Sequence, residues 1–414
     1  MHYGLAALLF FGILTLWVPE YWATAVFQVG VFLLAPVAVW RARKRPAPFC
    51  WMLVPLTSAV IYGCFQLFTG RTAYVYETRL AVLRWAAFLA VFVIGRSAFR
   101  DESKHRWFRS AVLYFASLLA VIATLQTFTS HGKVFWLFPT PYTDNVMGPI
   151  LNRNAWANFI EAVLPIALWG AIRERNSLLY SGMAAAMYAS VIACASRTGT
   201  LLTTLEVIAV PVLVFLNDRG SLRAKLGAPL LRIAMAVAAF TLVAGWDTVW
   251  QRLWSPDPGD MRKELTLSSI QMLRTHLWFG TGLGTWPTVY PQFALIDPGA
   301  IANQAHDDWL QLAVEGGLPF GILMFTMFVW SLGPALRSIW GIGVIAVFLH
   351  AFVDYPFSRP PLGSWTFAVL ALIATVPKVQ RAHLRRRDAN SASYSQDSLV
   401  AEPVKTAFTA SQKS

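Results

Sequence analysis

The 414-residue chain is 56% hydrophobic and only 13% charged, with a mean hydropathy of +0.51 and a formal net charge of +13 at pH 7. These values exclude an ordinary soluble domain and an intrinsically disordered chain. Apolar runs recur along the sequence at roughly the 16–21 residues that cross ~30 Å of hydrocarbon as a helix. Because unpaired backbone groups cannot be hydrated in lipid, the sequence predicts an all-α, polytopic membrane protein with about twelve transmembrane helices.

The predicted spans are joined by short loops except at two places: residues 129–155 precede the sixth span, and a polar segment of more than 60 residues precedes the tenth. In chain order they cover about residues 3–18, 22–40, 49–69, 80–95, 110–128, 156–172, 177–195, 199–216, 229–245, 312–333, 340–353 and 362–377.

Basic residues are distributed unevenly between the loops. Numbering the loops alternately places 20 of the 34 Lys and Arg residues on one side. Since Lys and Arg stay on the cytoplasmic side, both termini are predicted to be cytoplasmic, and the loop at about 246–311 is predicted to be periplasmic. The basicity therefore reflects topology, and membrane lipids rather than nucleic acid are the expected partners.

Residues 1–387 are predicted to form one transmembrane domain, followed by a polar, Ser/Ala-rich tail at 388–414 that is predicted to be a disordered cytoplasmic segment. The first apolar segment lacks a basic leader and a small-residue cleavage site, which favours a retained helix. Cys50, Cys64 and Cys194 lie inside or at the edge of apolar spans, and their odd number argues against a disulfide framework or a metal cluster. Neither a metal nor a cofactor is expected.

The long polar loop contains a helical pattern over 260–282. Leu265, Ile270, Leu273 and Leu277 recur at near-helical spacing and run into a glycine-rich stop. The pattern predicts an amphipathic helix that lies on the membrane surface.

A second helix is predicted to begin where the loop returns to the membrane. Asp307 or Asp308 is a candidate N-cap, and Gly316 and Gly317 are candidate terminators. His306 then lies at the N-terminal edge, where the helix dipole favours a neutral imidazole able to accept a proton, whereas the adjacent carboxylates favour the imidazolium. Residue pattern alone leaves both protonation states open.

Five segments between about residues 145 and 375 share an order and spacing with a known family. They are "GPILNRNAWANF" (148–159), "SRTGT" (196–200), "MRKELTLSSIQMLRTHLWFGTGLGTW" (261–286), "AHDDWLQLAVEGGLPFG" (305–321) and "HAFVDYPFSRPP" (350–361). Together they resemble the O-antigen ligase and O-antigen polymerase superfamily of bacterial membrane glycosyltransferases. One departure is Asp307, where the family more commonly has asparagine.

The resemblance implies a GT-C-like enzyme of the bacterial inner membrane that works in lipopolysaccharide or other polysaccharide biosynthesis. Its donor would be a polyprenyl (undecaprenyl) diphosphate-linked glycan, which is transferred to an acceptor hydroxyl on the periplasmic face with inversion and without metal or nucleotide. Ligases use lipid A core as acceptor, polymerases use another lipid-linked repeat, and some members use protein. The compact loops favour a ligase.

The candidate catalytic residue is His306, as the general base that takes the proton of the acceptor hydroxyl. A structural histidine is the alternative. A diphosphate leaving group needs cations, and arginine matches phosphate oxygens bidentately, although each arginine could instead be a snorkelling or solvated side chain. The candidate diphosphate ligands are Arg197 and Arg262, with Arg252, Arg153 and Arg274 as weaker candidates.

Further polar residues are candidates for binding the glycan or acceptor or for supporting the site, with capping and turn formation as the structural alternatives. They are Asn152, Asn154, Asp307, Asp308, His350 and Asp354, the last two predicted to lock a helix end.

A rival hypothesis is a transporter or flippase for lipid-linked sugars. Glu206 lies in the middle of a predicted span, where ionisable residues are costly and often functional, and Glu161 could act with it. Transporters usually show paired halves with broken helices near the midplane, and no such symmetry is visible in the sequence.

Overall fold

The protein is an all-α, polytopic membrane protein. The computed structural model describes residues 1–45, 48–141, 146–217, 223–244, 259–296 and 301–375. The predicted disordered tail at 388–414 lies outside the described residues, as does the first part of the predicted external loop.

The first half of the described chain contains eight helices, of which the sixth and seventh are short. These are α1 (His2–Leu14), α2 (Tyr21–Lys44), α3 (Leu53–Phe68), α4 (Val75–Ala98), α5 (Glu102–Thr129), α6 (Arg153–Glu161), α7 (Leu164–Arg173) and α8 (Ser177–Ala193). A two-stranded antiparallel ribbon, β1 (Lys133–Val134) with β2 (Phe138–Pro139), follows α5 and pairs Lys133 with Pro139.

The second half contains the helices that carry most of the candidate site. They are α9 (Arg197–Asn217), α10 (Arg223–Ala244), α11 (Gly259–Thr275), α12 (Asp308–Ser338), α13 (Gly343–His350) and α14 (Pro360–Ala374). A single helical turn at Trp286–Val289 continues into a 3-10 turn at Tyr290–Gln292, and another 3-10 turn covers Pro356–Ser358.

Among the described residues, six helical segments are long and apolar enough to cross a membrane, and five shorter apolar helices accompany them. The six are Tyr21–Lys44, Val75–Ala98, Glu102–Thr129, Arg153–Arg173, Arg197–Asn217 and Asp308–Ser338. Every predicted span coincides with one or more observed helices, so the helical polytopic prediction is confirmed.

The sixth predicted span, 156–172, is divided into α6 and α7 at residues 162–163. Pro165 lies in the first turn of α7 and has no backbone N–H to donate to the carbonyl of Glu161. The backbone at Glu161 is instead packed against Gly343 at the start of α13. The break therefore follows from one proline and a close helix contact.

The eleventh predicted span, 340–353, is too long. The helix there, α13, has eight residues and rises only about 12 Å, which is less than half of a bilayer core. The α-helix ends at His350, and the chain returns through a turn and then the 3-10 turn at 356–358. This irregular segment lies beside the start of α12, because the amide of Asp308 donates to the carbonyls of Ala351 at 2.8 Å and Asp354 at 3.1 Å.

The helix predicted to end at Gly316 and Gly317 is in fact bent there. Gly317 has φ 67° and ψ −174°, and a new helical run continues to Ser338. A Cβ at Gly317 would lie 2.6 Å from the carbonyl carbon and oxygen of Trp278, so only glycine allows this approach. The change of direction separates an outer part of α12 from its apolar inner part.

Buried aromatic side chains fill the centre of the helical bundle, including Trp85, Phe88, Trp156, Phe159 and Trp365. The long helix α4 packs against α2, α3 and α14. Apolar residues on the outer faces, such as Leu33 on α2, are exposed, as expected for a surface covered by lipid.

The packing of α13 against the break in α6–α7 predicts an effect on stability. A Cβ added at Gly343 would lie 1.9 Å from the backbone oxygen of Glu161, so we expect Gly343→Ala to separate these helices and cost at least about 1–3 kcal/mol. The measurement is the thermal unfolding midpoint of the purified protein in detergent. Gly182→Ala is the matched control, since a Cβ at Gly182 meets nothing within 4 Å. Equal midpoints for the two variants would contradict the packing described.

Candidate functional site

The polar segment before α12 forms a small cluster with its own apolar core. Leu265 and Met272 of α11 are buried in it with Trp286, Tyr290 and Val314. The predicted helix at 260–282 therefore exists as a shorter helix, but its apolar side packs mainly on protein. This arrangement corrects the expectation of a helix lying with that side on the membrane surface.

A buried carboxylate fixes the first turns of α11. Glu264 is 5% exposed and accepts hydrogen bonds from the hydroxyls of Tyr290 at 2.5 Å and Ser268 at 2.7 Å, and from the amide of Leu295 at 3.0 Å. Arg262 lies two residues earlier, so these bonds determine where its side chain begins.

Glu315 joins the glycine-rich segment after α11 to α12. Its carboxylate accepts from the amides of Gly284 at 2.7 Å and Trp286 at 3.4 Å. Gln66 of α3 also connects the two segments, since its side-chain amide donates to the carbonyls of Phe279 at 2.9 Å and Glu315 at 3.0 Å. The glycine-rich segment "GTGLG" (280–284) is thus a turn in the backbone held by side chains of two helices.

Gln311 fixes the backbone immediately before His306. Its side-chain oxygen accepts from the amide of Ala305 at 2.9 Å, and its Nε2 donates to Gln304 Oε1 at 2.8 Å and to Glu315 Oε1 at 3.0 Å. Gln311 lies one turn inside α12, so the rigid helix determines the path of the loop that delivers His306.

His306 itself has a left-handed backbone conformation, with φ +56°. A non-glycine residue in this region is uncommon, and such strain persists only where neighbouring interactions hold it. The Gln311–Ala305 bond lies on one side, and on the other side Asp307 caps α12 by accepting from the amide of Leu310 at 3.0 Å. The predicted Asp307 cap is therefore present.

The His306 side chain lines a cavity of about 250 Å³ between α11 and the segment that precedes α12. The imidazole meets the ring of Tyr355 edge-on, with 5.0 Å between ring centroids. The described residues that line this cavity are Met261, Leu265, Ile301, Ala302, Asn303, Gln304, His306 and Tyr355.

Asp308, the second candidate carboxylate, is fully buried and is not among the described residues that line this cavity. Its oxygens accept from the amide of Phe357 at 2.6 Å and the hydroxyl of Ser358 at 2.9 Å. Asp308 therefore fastens the 3-10 turn at 356–358 to the start of α12, which is a supporting role.

A buried polar network connects this turn to α6. Asn158 Nδ2 donates to Asp354 Oδ2 at 3.1 Å, and the guanidinium of Arg359 lies 3.9 Å from the same carboxylate oxygen. Arg359 also lies over the ring of Tyr355, 4.2 Å from its centroid. Asp354 thus helps to set Tyr355, which is the ring in contact with His306.

His350, at the end of α13, pairs with α6 through Glu161. Its Nδ1 lies 2.7 Å from Glu161 Oε1, and both side chains are fully buried. Arg262 is close enough to His350 to interact with it electrostatically. His350 and Asp354 accordingly lock a helix end, in agreement with the structural role that the sequence favours.

The N-terminal ends of α6 and α9 meet at the corner that contains Arg197. Asn152 caps α6 by accepting from the amides of Asn154 and Ala155, at 2.9 and 3.0 Å. Asn154 in turn accepts from the hydroxyl of Ser196 at 2.8 Å. Asn152 and Asn154 therefore have capping and bridging roles, and they place Arg197 on the neighbouring helix end.

The structure brings only some of the candidate arginines close to one another. Arg153 and Arg197 are the first residues of two helices joined by the Asn154–Ser196 bond, and Arg197 is exposed. Arg262 lies next to Met261, which lines the His306 cavity. None of these three arginines is among the described residues that line it. Arg274 is in the last turn of α11, and Arg252 lies outside the described residues.

Several residues of the site were missed by sequence reasoning. Tyr355, Arg359, Gln311 and Asn158 contact or position candidate residues, yet none was singled out. A signal exists for Gln311, because it lies one turn inside the helix that the sequence predicts to follow His306. The Asp354 partner of Asn158 is 196 residues away in sequence, and no local pattern indicates it.

Residues 182–326 match the family model described as O-antigen ligase. The matched stretch contains Arg197, Arg262 and His306 and the polar cluster between α11 and α12. This segment belongs to the O-antigen ligase family. The apolar helices identify a multi-pass membrane protein, and the matched segment is similar to a glycosyltransferase-like family of O-antigen ligases and polymerases. No curated protein matches the chain.

The Asp307 cap predicts an unusual dependence of stability on pH. Burial raises the pKa of Asp307 to about 6 from its ordinary value of 3.8, against the opposing effect of the amide hydrogen bonds. Between about pH 4 and 6 the folded protein therefore holds a proton that the unfolded chain releases, and the stability contributed by this group falls as the pH rises through that window.

Asp307→Asn tests this, because asparagine also caps helices but does not titrate. The measured quantity is the thermal unfolding midpoint of the variant minus that of the parent protein. We expect this difference to be larger at pH 7.5, where Asp307 is charged in the parent, than at pH 4.5. A difference that is the same at both pH values would show that this carboxyl does not titrate as described.

Proposed function

We propose that this protein is an O-antigen ligase of the bacterial inner membrane, with both termini cytoplasmic and the site on the periplasmic face. It moves a glycan from an undecaprenyl diphosphate carrier to an acceptor hydroxyl of lipid A core. The family match supports a lipid-linked glycan donor, and the basic loops on the opposite side of the predicted topology support the orientation. The observation that carries the proposal is the placement of His306, strained and held from both sides, against a cavity in the matched segment.

In the proposed reaction, His306 accepts the proton of the acceptor hydroxyl as that oxygen attacks the anomeric carbon. The bond between the anomeric carbon and the diphosphate oxygen breaks, and the electron pair leaves with the carrier diphosphate. Attack opposite the leaving group inverts the anomeric centre. In this proposed mechanism His306 is the general base, and no step uses a metal ion.

The leaving diphosphate is proposed to bind near the helix ends that carry the arginines. Arg153 and Arg197 begin two adjacent helices, whose N-terminal dipoles favour anions, and Arg262 of α11 is proposed as a further ligand. Arg252 completes the candidate set from a segment outside the described residues. Several guanidinium groups together would stabilise the negative charge that develops on the leaving oxygen.

The His306 cavity is proposed to hold the end of a substrate rather than a whole oligosaccharide. Its volume of about 250 Å³ is slightly below the range of roughly 300–1,000 Å³ common for small-molecule sites. Tyr355 offers an aromatic face, and Asn303 and Gln304 offer side-chain amides suited to sugar hydroxyls.

His306→Ala is expected to lower the rate of glycan transfer by about 10²–10⁴-fold, the usual contribution of a general base. The assay uses the protein reconstituted in liposomes with a diphosphate-linked oligosaccharide and lipid A core. His276→Ala is the control, since His276 is a second histidine of the same external cluster that contacts Phe293 and is not among the described cavity-lining residues. Equal rates in the two variants would rule out His306 as the base.

A polymerase that extends a lipid-linked repeat is the second form of the same proposal. The compact loops favour the ligase, and the same reconstitution separates the two. One transfer onto lipid A core identifies a ligase, whereas a ladder of repeats on the carrier lipid identifies a polymerase.

A transporter for lipid-linked sugars is a second candidate because of Glu206. This residue is 4% exposed in α9, and neither carboxylate oxygen has a hydrogen-bond partner among the described residues. A buried carboxylate of this kind is typical of ion-coupled transport. Glu206→Gln should abolish transport in a transporter, but should leave glycan transfer within a few-fold of the parent rate in the proposed ligase.

A further inference from the structure

A second cavity lies at the opposite end of the helices from His306. It has a volume of about 640 Å³ and is enclosed by the end of α2, the end of α4 and the beginnings of α1 and α5. Among the described residues, five Lys and Arg side chains and one carboxylate line it, together with His2 and the N-terminal Met1. These Lys, Arg and acidic residues are Arg41, Lys44, Arg45, Arg100, Lys104 and Asp101.

The charges at this cavity are gathered by the fold rather than by one stretch of sequence. Arg100 donates to the carbonyl oxygen of Arg45, which joins the segment after α4 to the end of α2. Lys104 lies 3.0 Å from Asp101, so the single acid neutralises one of the five cations. The strong excess of positive charge makes the cavity a site for an anion.

Aromatic side chains around the cavity place it at the level of lipid headgroups. Trp40 lines it and is exposed, with Lys44 Nζ 4.1 Å above its ring. Trp51 and Trp107 are exposed at the adjoining helix ends. Exposed tryptophans of this kind mark the boundary between hydrocarbon and headgroups, where the phosphates of lipids lie.

We propose that this cavity binds the phosphate of an anionic phospholipid headgroup. Basic pockets between transmembrane helices are suited to such headgroups, because several cations meet one phosphate while the acyl chains stay in the bilayer. Neither the proposed transfer reaction nor the family match, which begins at residue 182, involves this cavity. The bound lipid would hold together four helix ends that are otherwise pushed apart by like charge.

The test compares phosphatidylglycerol with phosphatidylcholine in native mass spectra of the full chain in detergent. The triple variant Arg41→Gln, Lys44→Gln, Arg100→Gln is expected to lose the preference for phosphatidylglycerol by at least about tenfold, since each basic residue near an anionic membrane surface contributes roughly fivefold. The matched control removes three cations that do not line the cavity, with Arg43→Gln, Arg106→Gln and Arg337→Gln. It should change the preference by less than about twofold.

Asp101→Asn is expected to increase phosphatidylglycerol binding, and a folding defect would not produce an increase. Asp101 caps α5 by accepting from the amide of Ser103, and asparagine caps equally well. Removing its negative charge should strengthen phosphatidylglycerol binding by a few-fold.

Three results would overturn the proposal. They are an equal loss of preference in the two triple variants, weaker binding in Asp101→Asn, and displacement of the lipid by millimolar inorganic phosphate. The last result would identify a site for free phosphate rather than for a lipid headgroup. A loss of transfer activity alone has no bearing on this site.

Discussion

Irregular backbone beside a bilayer has to find its hydrogen-bond partners within the protein, and here a few buried side chains supply them. Glu315 satisfies the amides of Gly284 and Trp286, Asp308 satisfies that of Phe357, and Gln311 satisfies that of Ala305. All three of these acceptors lie on the first turns of α12. The first turns of α12 therefore support the described irregular backbone at residues 284–286, 305 and 357, which explains how a left-handed residue can be held in one place.

A second layer of buried polar groups ties this support to the membrane helices. The His350–Glu161 pair joins α13 to α6, and the Asn158–Asp354 bond joins α6 to the segment that carries Tyr355. Removing one member of a fully buried pair typically costs about 3–5 kcal/mol, because the other charge is left uncompensated. The break in the α6–α7 column, which sets Glu161 against α13, is thus coupled to the position of the ring that faces His306.

The sequence predicts much of this molecule, and its failures have physical reasons. Hydropathy finds the helices, and the Asp307 cap follows from local chemistry, since a carboxylate three residues before an amide can accept its hydrogen bond. Apolar content does not reveal where an apolar segment stops being helical, so the eight-residue α13 was predicted as a full span. Nor does the amphipathic pattern of α11 distinguish a helix covered by lipid from one covered by protein.

Only part of the candidate site is predicted, because local sequence shows some of its residues and not others. His306 stands out because it is polar, lies in a loop predicted to be external and precedes a helix start, all of which are local properties. Tyr355, Arg359 and Asn158 depend on contacts between segments far apart in sequence, and a single chain gives no sign of which polar residues will meet. The arrangement of Arg197 relative to Arg262 is also a tertiary property, and the described contacts connect these residues to the site without placing them on one cavity wall.

The bend at Gly317 has a mechanical consequence. The amide of Leu318 donates to the carbonyl of Leu277 at 2.7 Å, so the bend is pinned to the polar cluster rather than to lipid. Bilayers differ in thickness, and a transmembrane helix adapts to a thinner or thicker one mainly by tilting. Because this bond fixes the bend at Leu277, we expect the inner portion of α12 to tilt with bilayer thickness while the outer turns keep their orientation, so that the geometry around the imidazole stays the same in thinner and thicker membranes.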